Sequence, residues 1–276
     1  MKKFQPALYN SPIDLPEGVS GKVSIVHRTI EEKVPVIGMR QAILRGLCPT
    51  TGVLAAPRRI HELREEGQGV WMTDQPEELN QIAEMMATVD PRGDVLVGGL
   101  GLGIVAATLA TRVGMDRIVV VERSADVIKL CHPPLREPDP DDYEVVRADV
   151  LAYLLDSATP RFDFYLLDTW QGTSESTWWE EVMPLKRAIR KRWGGDPIIH
   201  CWAEDIMDGQ IQRAVACGNR TWYYECLPEV MSPASIKRFT RDVGRPEWEK
   251  RYGAALDDYI ALKAKTLRER GSLEAV

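Results

Sequence analysis

Residues 94–103 read Asp-Val-Leu-Val-Gly-Gly-Leu-Gly-Leu-Gly, and this stretch decides the fold of the chain. A short apolar run stops at glycines 99, 101 and 103, and a second apolar segment, Ile104 to Leu109, follows. The pattern predicts a strand that turns sharply into a helix. Glycine suits such a turn because it adopts backbone angles that a Cβ disfavours and lets a ligand approach the main chain closely. The helix start would offer N–H groups to that ligand.

Three further strands are predicted downstream, and each leads to an acid. The apolar runs and their acids are Arg117 to Glu122, Tyr143 to Val146 with Asp149, and Phe162 to Leu167 with Asp168. Glu122 lies 23 residues after Gly99, close to the roughly 20-residue spacing at which nucleotide-binding α/β folds place an acid for the ribose. Ligands of open parallel sheets bind at the carboxyl ends of the strands. We therefore expect a ligand site there, although a single acid in such a place is often only a solvated cap.

The rest of the chain divides into three parts by its pattern. We expect a β-rich cap over 1–75, an α/β core over 76–232 and a helical C-terminal extension over 233–276. In the cap, Val23 to His27 and Val34 to Ile37 are predicted strands joined by a turn at Glu31 to Lys33. The tail has an apolar side that we expect to dock on its own domain, with a homo-oligomer contact as the alternative: Trp248, Tyr252, Leu256, Tyr259, Ile260 and Leu262.

Periodicity and proline positions predict the remaining elements of the core. Met115 and Asp116 are expected to close the first helix, and Pro133-Pro134 to break the helix that starts at Ser124. The other predicted elements are helices over Glu77 to Thr88, Thr177 to Trp193 with an interruption at Pro184, and Asp205 to Ala216, and strands over Pro197 to Trp202 and Thr221 to Leu227.

From Trp71 to Trp170 the sequence resembles the class I S-adenosylmethionine-dependent methyltransferases, and most of all their spermidine synthase-like (polyamine aminopropyltransferase) branch. The resemblance implies a doubly wound, Rossmann-like α/β sheet. It also implies the role of each matched residue: Gly99, Gly101 and Gly103 around the methionine moiety, Glu122 on the ribose, Asp149 on the adenine amino group, and Asp168 beside the reacting centre. Val70 to Asp74 and Glu77 to Met86 are similar to the segment that precedes the core in the aminopropyltransferases.

Departures from that branch favour methyl transfer. Aminopropyltransferases carry an Asp inside the glycine turn, where this chain has Gly101 and Leu102, and an Asp-Pro pair after the fourth strand, where it has Thr169 and Trp170. We therefore expect an S-adenosylmethionine-dependent methyltransferase. The alternatives are an aminopropyltransferase that uses decarboxylated S-adenosylmethionine and a non-catalytic subunit that binds the cofactor.

A nicotinamide dinucleotide is the rival cofactor, because residues 101–106 also satisfy G-x-G-x-x-A. Asp149 and Asp168 have no required role in a dinucleotide site. A second βαβ half with its own glycine turn is not evident after residue 170. The sequence favours S-adenosylmethionine.

The acceptor is expected to be a small molecule, with an amine as one candidate class. Asp168 would orient it and take its proton, while Thr169 and Trp170 would bind it, the indole as a wall for a planar or cationic group. Trp178 and Trp179 are expected to anchor a helix on the core instead.

Composition supports a soluble, cytoplasmic enzyme of 276 residues with 44% hydrophobic and 28% charged residues. A net charge of −6 gives no general attraction to nucleic acid or anionic membranes, so neither is an expected partner. The five cysteines, at 48, 131, 201, 217 and 226, are widely spaced and are expected to be reduced and mostly buried. No metal is expected, because four histidines and no C-x-x-C motif give no ligand set.

Overall fold

The computed structural model describes residues 3–4, 10–31, 35–37, 48–49, 51–53, 56–135, 143–172, 177–194, 197–207 and 248–269. The chain separates into two compact units, residues 1–147 and 148–276. The predicted division into 1–75, 76–232 and 233–276 stays a prediction. The predicted helix over Asp205 to Ala216 extends beyond the described residues, and the predicted strand over Thr221 to Leu227 lies wholly outside them.

The N-terminal part of the first unit is built from short strands. They are β1 (Lys3–Phe4), β2 (Gly18–Ser20), β3 (Val23–Ile30), β4 (Pro35–Ile37), β5 (Cys48–Pro49), β6 (Thr51–Val53), β7 (Arg58–Glu65) and β8 (Gly69–Thr73). Strands β2-β3-β7-β8 form an antiparallel sheet, whereas β4 pairs with β6 and β1 with β5. The strands predicted around 23 and 34 are confirmed, and they belong to different sheets; the turn predicted at Glu31 to Lys33 lies mostly outside the described residues. All eight residues of β3 pair with β7, and its first three also pair with β2.

Residues 10–17, here called the strap, form no strand and contact this sheet through hydrogen bonds between Leu15 and two histidines. The Leu15 N–H donates to His61 Nε2 (3.2 Å), and its carbonyl accepts from His27 Nε2 (2.7 Å). Since His61 Nε2 accepts, its Nδ1 carries the proton and donates to Asp74 Oδ2 (2.7 Å). Burial opposes the charge of Asp74, but hydrogen bonds from His61 and Ser11 outweigh it and lower the Asp74 pKa.

Helices and parallel strands alternate from residue 76 onward. The first unit continues with α1 (Pro76–Val89), β9 (Gly93–Gly98), α2 (Ile104–Ala110), β10 (Met115–Glu122), α3 (Ala125–Leu135) and β11 (Tyr143–Arg147). The second unit contains α4 (Val150–Leu155), β12 (Phe164–Leu167), a π-helical turn (Trp178–Val182), α5 (Met183–Trp193), β13 (Ile198–Cys201) and α6 (Trp248–Glu269).

Five of these strands form a sheet in the order β11-β10-β9-β12-β13. The pairs β9–β10, β10–β11 and β12–β13 are parallel. Continuous apolar runs account for the strands, since Ile118 to Val121 and Val95 to Val97 are buried, as expected where helices cover both faces of a parallel sheet. The doubly wound, Rossmann-like α/β class is confirmed, together with an antiparallel N-terminal sheet and a C-terminal helix.

Three predicted element boundaries are wrong. Met115 does not close a helix but opens β10, because it pairs with Gly93 of β9. Helix α3 continues through Pro133-Pro134 to Leu135. The pair lies in the last turn, so the backbone hydrogen bonds that the prolines cannot donate are lost only at the end of the helix. Phe162 precedes β12, because its N–H donates to the Tyr165 hydroxyl (3.1 Å) instead of to a neighbouring strand.

The C-terminal helix α6 packs on α5 and α4 within the second unit. Ile260 and Ala264 are buried there, whereas Leu262, predicted on the apolar side, is 42% exposed. Asp257 of α6 forms ion pairs with Arg187 (3.2 Å) and Lys191 (2.9 Å) of α5. These contacts confirm that the tail docks on its own domain.

Arg192, in the last turn of α5, forms hydrogen bonds with the end of α4 and with the segment that follows it. Its guanidinium donates to the carbonyls of Leu154 (2.7 Å), Ser157 (3.0 Å) and Thr159 (2.7 Å), and also to that of Asp156. The same cation lies 4.6 Å from the centre of the Trp193 ring. One side chain therefore fixes the carboxyl end of α4.

Candidate cofactor-binding site

The turn between β9 and α2 has the backbone geometry that its glycines predict. Gly99, Gly101 and Gly103 have φ values of +93°, +53° and +80°, in the left-handed region that other residues disfavour. Gly101 has a second reason to be glycine. A Cβ at that position would lie 2.6 Å from Met72 Sδ, well inside van der Waals contact.

Most backbone N–H groups of this turn are used within the first unit. The donors and acceptors are Gly99 to Val121 O (2.9 Å), Leu100 to Glu122 Oε2 (2.9 Å), Leu102 to Met72 Sδ (3.4 Å) and Gly103 to Leu100 O (2.8 Å). Among the described residues, the Gly101 N–H has no partner in this network. It is therefore the donor of this turn that no described group uses.

Glu122, the last residue of β10, lies against the turn with only 8% of its surface exposed. Its Oε2 accepts from Leu100, and its Oε1 accepts from the Ser124 N–H (2.7 Å). A carboxylate oxygen has two lone pairs, so each oxygen keeps one acceptor position beside a fixed backbone bond. The pattern suits vicinal hydroxyls, and the ribose role stays a prediction.

Asp149 begins helix α4. Its Oδ1 accepts from the Ala152 N–H (3.2 Å), with φ and ψ of −73° and 135°, the geometry of an N-cap. Asp149 therefore caps a helix, which is the structural role that an acid at a strand end often has. Recognition of an adenine amino group stays a prediction.

Asp168 and Thr169 directly follow β12 and are half-buried. Trp170 is buried, and its Nε1 has no hydrogen-bond partner within the part of the chain that the structure describes. The β12–β13 pairing extends one residue beyond the end of β13, because the Trp202 N–H donates to Leu167 O (2.9 Å). Burial, with a smaller contribution from the charges of Glu204 and Asp168, raises the pKa of Cys201. The described Cys131 and Cys201 are both free and buried, as predicted.

The structure brings Gly99 to Gly103 and Glu122 into direct contact, and it places Asp149, Asp168, Thr169 and Trp170 in the second unit. Trp178 is buried, in agreement with its predicted role as a helix anchor. Sequence reasoning missed two residues of the first unit. Met72 contacts the turn, although a methionine at a strand end is typical of core packing. The sequence predicts Glu78 only as part of a helix, yet burial raises its pKa to about 7 against the hydrogen bonds from Thr73.

The residues present fit a nucleoside cofactor with hydroxyl groups, on the evidence of the Gly101 N–H and the second lone pairs of Glu122. Within the described ranges, no group of three or more His, Cys, Asp or Glu side chains is placed to hold a metal ion. The described helices include none with the length and hydropathy needed to cross a membrane.

The chain is similar to solved methyltransferases and to a spermidine synthase. Spermidine synthase from Thermotoga maritima matches at 17% identity and a TM-score of 0.37, over 56% of this chain and 59% of that one. Precorrin-8w decarboxylase from Methanobacterium thermoautotrophicum matches at 19% and 0.36, over 51% and 72%. The C-terminal domain of precorrin-6Y C5,15-methyltransferase from Rhodobacter capsulatus matches at 18% and 0.35, over 48% and 68%.

Because these neighbours differ in activity, they do not single out the spermidine synthase branch. No family model matches the chain, and no curated protein matches it in sequence.

Proposed function

We propose that this protein is an S-adenosylmethionine-dependent transferase that moves an alkyl group, with methyl favoured, to a small acceptor. One observation carries the proposal: Glu122, at the end of the second core strand, is locked onto the glycine turn at the end of the first. This arrangement presents acceptors for hydroxyls next to the Gly101 N–H, a main-chain donor that no described group uses. The observation is compatible with a nucleoside ligand, and the three strand-end acids of the sequence, Glu122, Asp149 and Asp168, favour S-adenosylmethionine over a dinucleotide.

The cofactor would supply a sulfonium, from which a neutral thioether leaves readily as the acceptor attacks the alkyl carbon, so the protein's main task is alignment. Gly101 would bind the donor through its main chain, and Glu122 would orient the ribose. Asp168 would orient an amine acceptor and take up its proton. Trp170, buried and with its Nε1 unsatisfied among the described residues, would form the apolar wall of the acceptor pocket.

Calorimetry with the purified chain tests the cofactor. We expect binding of S-adenosylmethionine and S-adenosylhomocysteine and no binding of NAD. Stabilisation by NAD alone would overturn the proposal. Tighter binding of decarboxylated S-adenosylmethionine than of S-adenosylmethionine would instead assign aminopropyl transfer.

Turnover is tested next, with putrescine and related amines, other small molecules, proteins and nucleic acids as acceptors. In the Asp168→Asn variant we expect cofactor affinity to change little and turnover of an amine to fall by about 10²- to 10⁴-fold. Undiminished turnover would remove Asp168 from the mechanism. Cofactor binding without turnover of any acceptor would identify a non-catalytic subunit.

A further inference from the structure

The side chain of Met72 lies against the glycine turn, although the two segments are 30 residues apart in sequence. Its Sδ accepts the Leu102 N–H at 3.4 Å, within the range of a hydrogen bond to sulfur. The position that a Gly101 Cβ would take is 2.6 Å from the same Sδ and 3.2 Å from Cε. Met72 thus contacts two consecutive residues of the turn.

The main chain at and after Met72 is held by strand pairing and by two hydrogen bonds. Met72 pairs with Leu63 in the β7–β8 ladder. The next N–H, of Thr73, donates to Glu78 Oε2 (3.0 Å), and the one after it, of Asp74, donates to His61 O (3.3 Å). The thioether is therefore presented from a fixed strand end.

Leu102 is shielded from water at this contact. Leu102 has no exposed surface, so its N–H would lack any partner if the sulfur were removed. A buried donor without an acceptor costs free energy, and the turn would relax to recover one. Such relaxation would move Gly101, whose N–H is the donor left for a ligand.

We propose that Met72 is a positioning residue for the cofactor: its thioether holds the Leu102 N–H and backs Gly101, which keeps the glycine turn in its ligand-binding conformation. This inference rests on the proposed function, because the ligand is taken to be S-adenosylmethionine. A leucine at the same position would preserve bulk and remove the acceptor.

The test compares Met72→Leu with Met86→Leu. Met86 is a buried methionine in α1 and controls for the general cost of replacing a thioether in the core. S-adenosylhomocysteine is the probe, and its dissociation constant is measured by calorimetry. We expect Met72→Leu to weaken binding by about 2- to 10-fold, with both variants unfolding at similar temperatures. Equal affinity in the wild type and Met72→Leu would overturn the inference.

Amide hydrogen exchange of the ligand-free protein gives a second readout. The Leu102 amide should exchange faster in Met72→Leu than in the wild type and Met86→Leu, by a factor of about 2 to 10. This measurement does not depend on any ligand. If S-adenosylhomocysteine fails to bind the wild type, the proposed function fails, while faster Leu102 exchange would still show that Met72 holds the turn. Unchanged Leu102 exchange would overturn the role of Met72 whatever the ligand.

Discussion

Glu122 and Asp149 occupy similar places in the sequence, at or just after the end of a core strand, but their carboxylates have different tasks. Glu122 is buried and bonds to two backbone N–H groups, one of them in the turn that follows a different strand. Asp149 is half-buried and bonds within its own helix. An alanine substitution would therefore report on tertiary structure at Glu122 and on a local helix start at Asp149.

The largest effect is expected at Glu122. Glu122→Ala leaves the Leu100 and Ser124 N–H groups without their acceptors, and we expect a loss of about 2–5 kcal/mol in the free energy of unfolding. Glu144→Ala, at an exposed position of β11, is the matched control and should stay within about 0.5 kcal/mol of the wild type. Urea denaturation measures both. A small change in Glu122→Ala would mean that the turn does not depend on this acid.

The opposite end of the helix that Asp149 caps depends on Arg192. Arg192→Ala removes a cation from four carbonyl oxygens, and we expect it to lower the free energy of unfolding by about 2–4 kcal/mol. Arg192→Lys should recover only part of this, because an ammonium lacks the planar fork. Arg92→Ala, at an exposed surface pair, is the control with an expected loss below about 1 kcal/mol. Equal stability of Arg192→Ala and the control would show that α4 needs no such anchor.

Two substitutions of Asp149 distinguish its role as a helix cap from its proposed role in binding adenine. Asp149→Ala should cost about 1 kcal/mol of stability through the lost cap, whereas Asp149→Asn caps as well as aspartate and should cost none. Both should weaken S-adenosylhomocysteine by about 10- to 150-fold if the acid reads the adenine amino group. Asp156→Asn, at the other end of α4, is the control for affinity. Wild-type affinity in Asp149→Asn would leave the cap as the only role of Asp149.

Glu78, a third acid, differs from both because burial raises its pKa to about 7 from the usual 4.5. The folded protein holds this proton more tightly than the unfolded chain. The resulting stability is fully present below the unfolded pKa and is lost as the pH rises to about 7. Glu78→Gln should abolish this dependence and be more stable than the wild type, by about 1 kcal/mol near pH 8 and not near pH 5. Urea denaturation at the two pH values checks this, and equal pH dependence of the two proteins would contradict it.

The sequence predicts those parts of the site that depend on local chemistry. Apolar runs that end in glycines at 99, 101 and 103 require a strand, a turn and a helix, and the structure has all three. The spacing of Glu122 suggests its place beside the turn, because parallel neighbours end at the same sheet edge. Asp149 is ambiguous in sequence, since the residue type that binds an amino group is also one of the best helix caps.

The rest depends on contacts that periodicity does not encode. The β3–β7 ladder pairs residues far apart in sequence, such as Arg28 with Ile60, and no local pattern selects this pairing. The contact between Met72 and Leu102 likewise requires two segments to meet in three dimensions. The proline at 184 predicts that the helix over Thr177 to Trp193 is interrupted there. It does not predict that the preceding residues, Trp178–Val182, form a π-helical turn.

The strap around Leu15 has a consequence for the order of folding. Its bond to His61 closes a loop of 46 residues, and its anchors are side chains of strands that must first pair with each other. The entropy of closing a long loop has to be offset before such contacts form. We therefore expect the strap to dock after the rate-limiting step, so that Leu15→Ala, which empties a fully buried position, speeds unfolding and leaves the folding rate nearly unchanged.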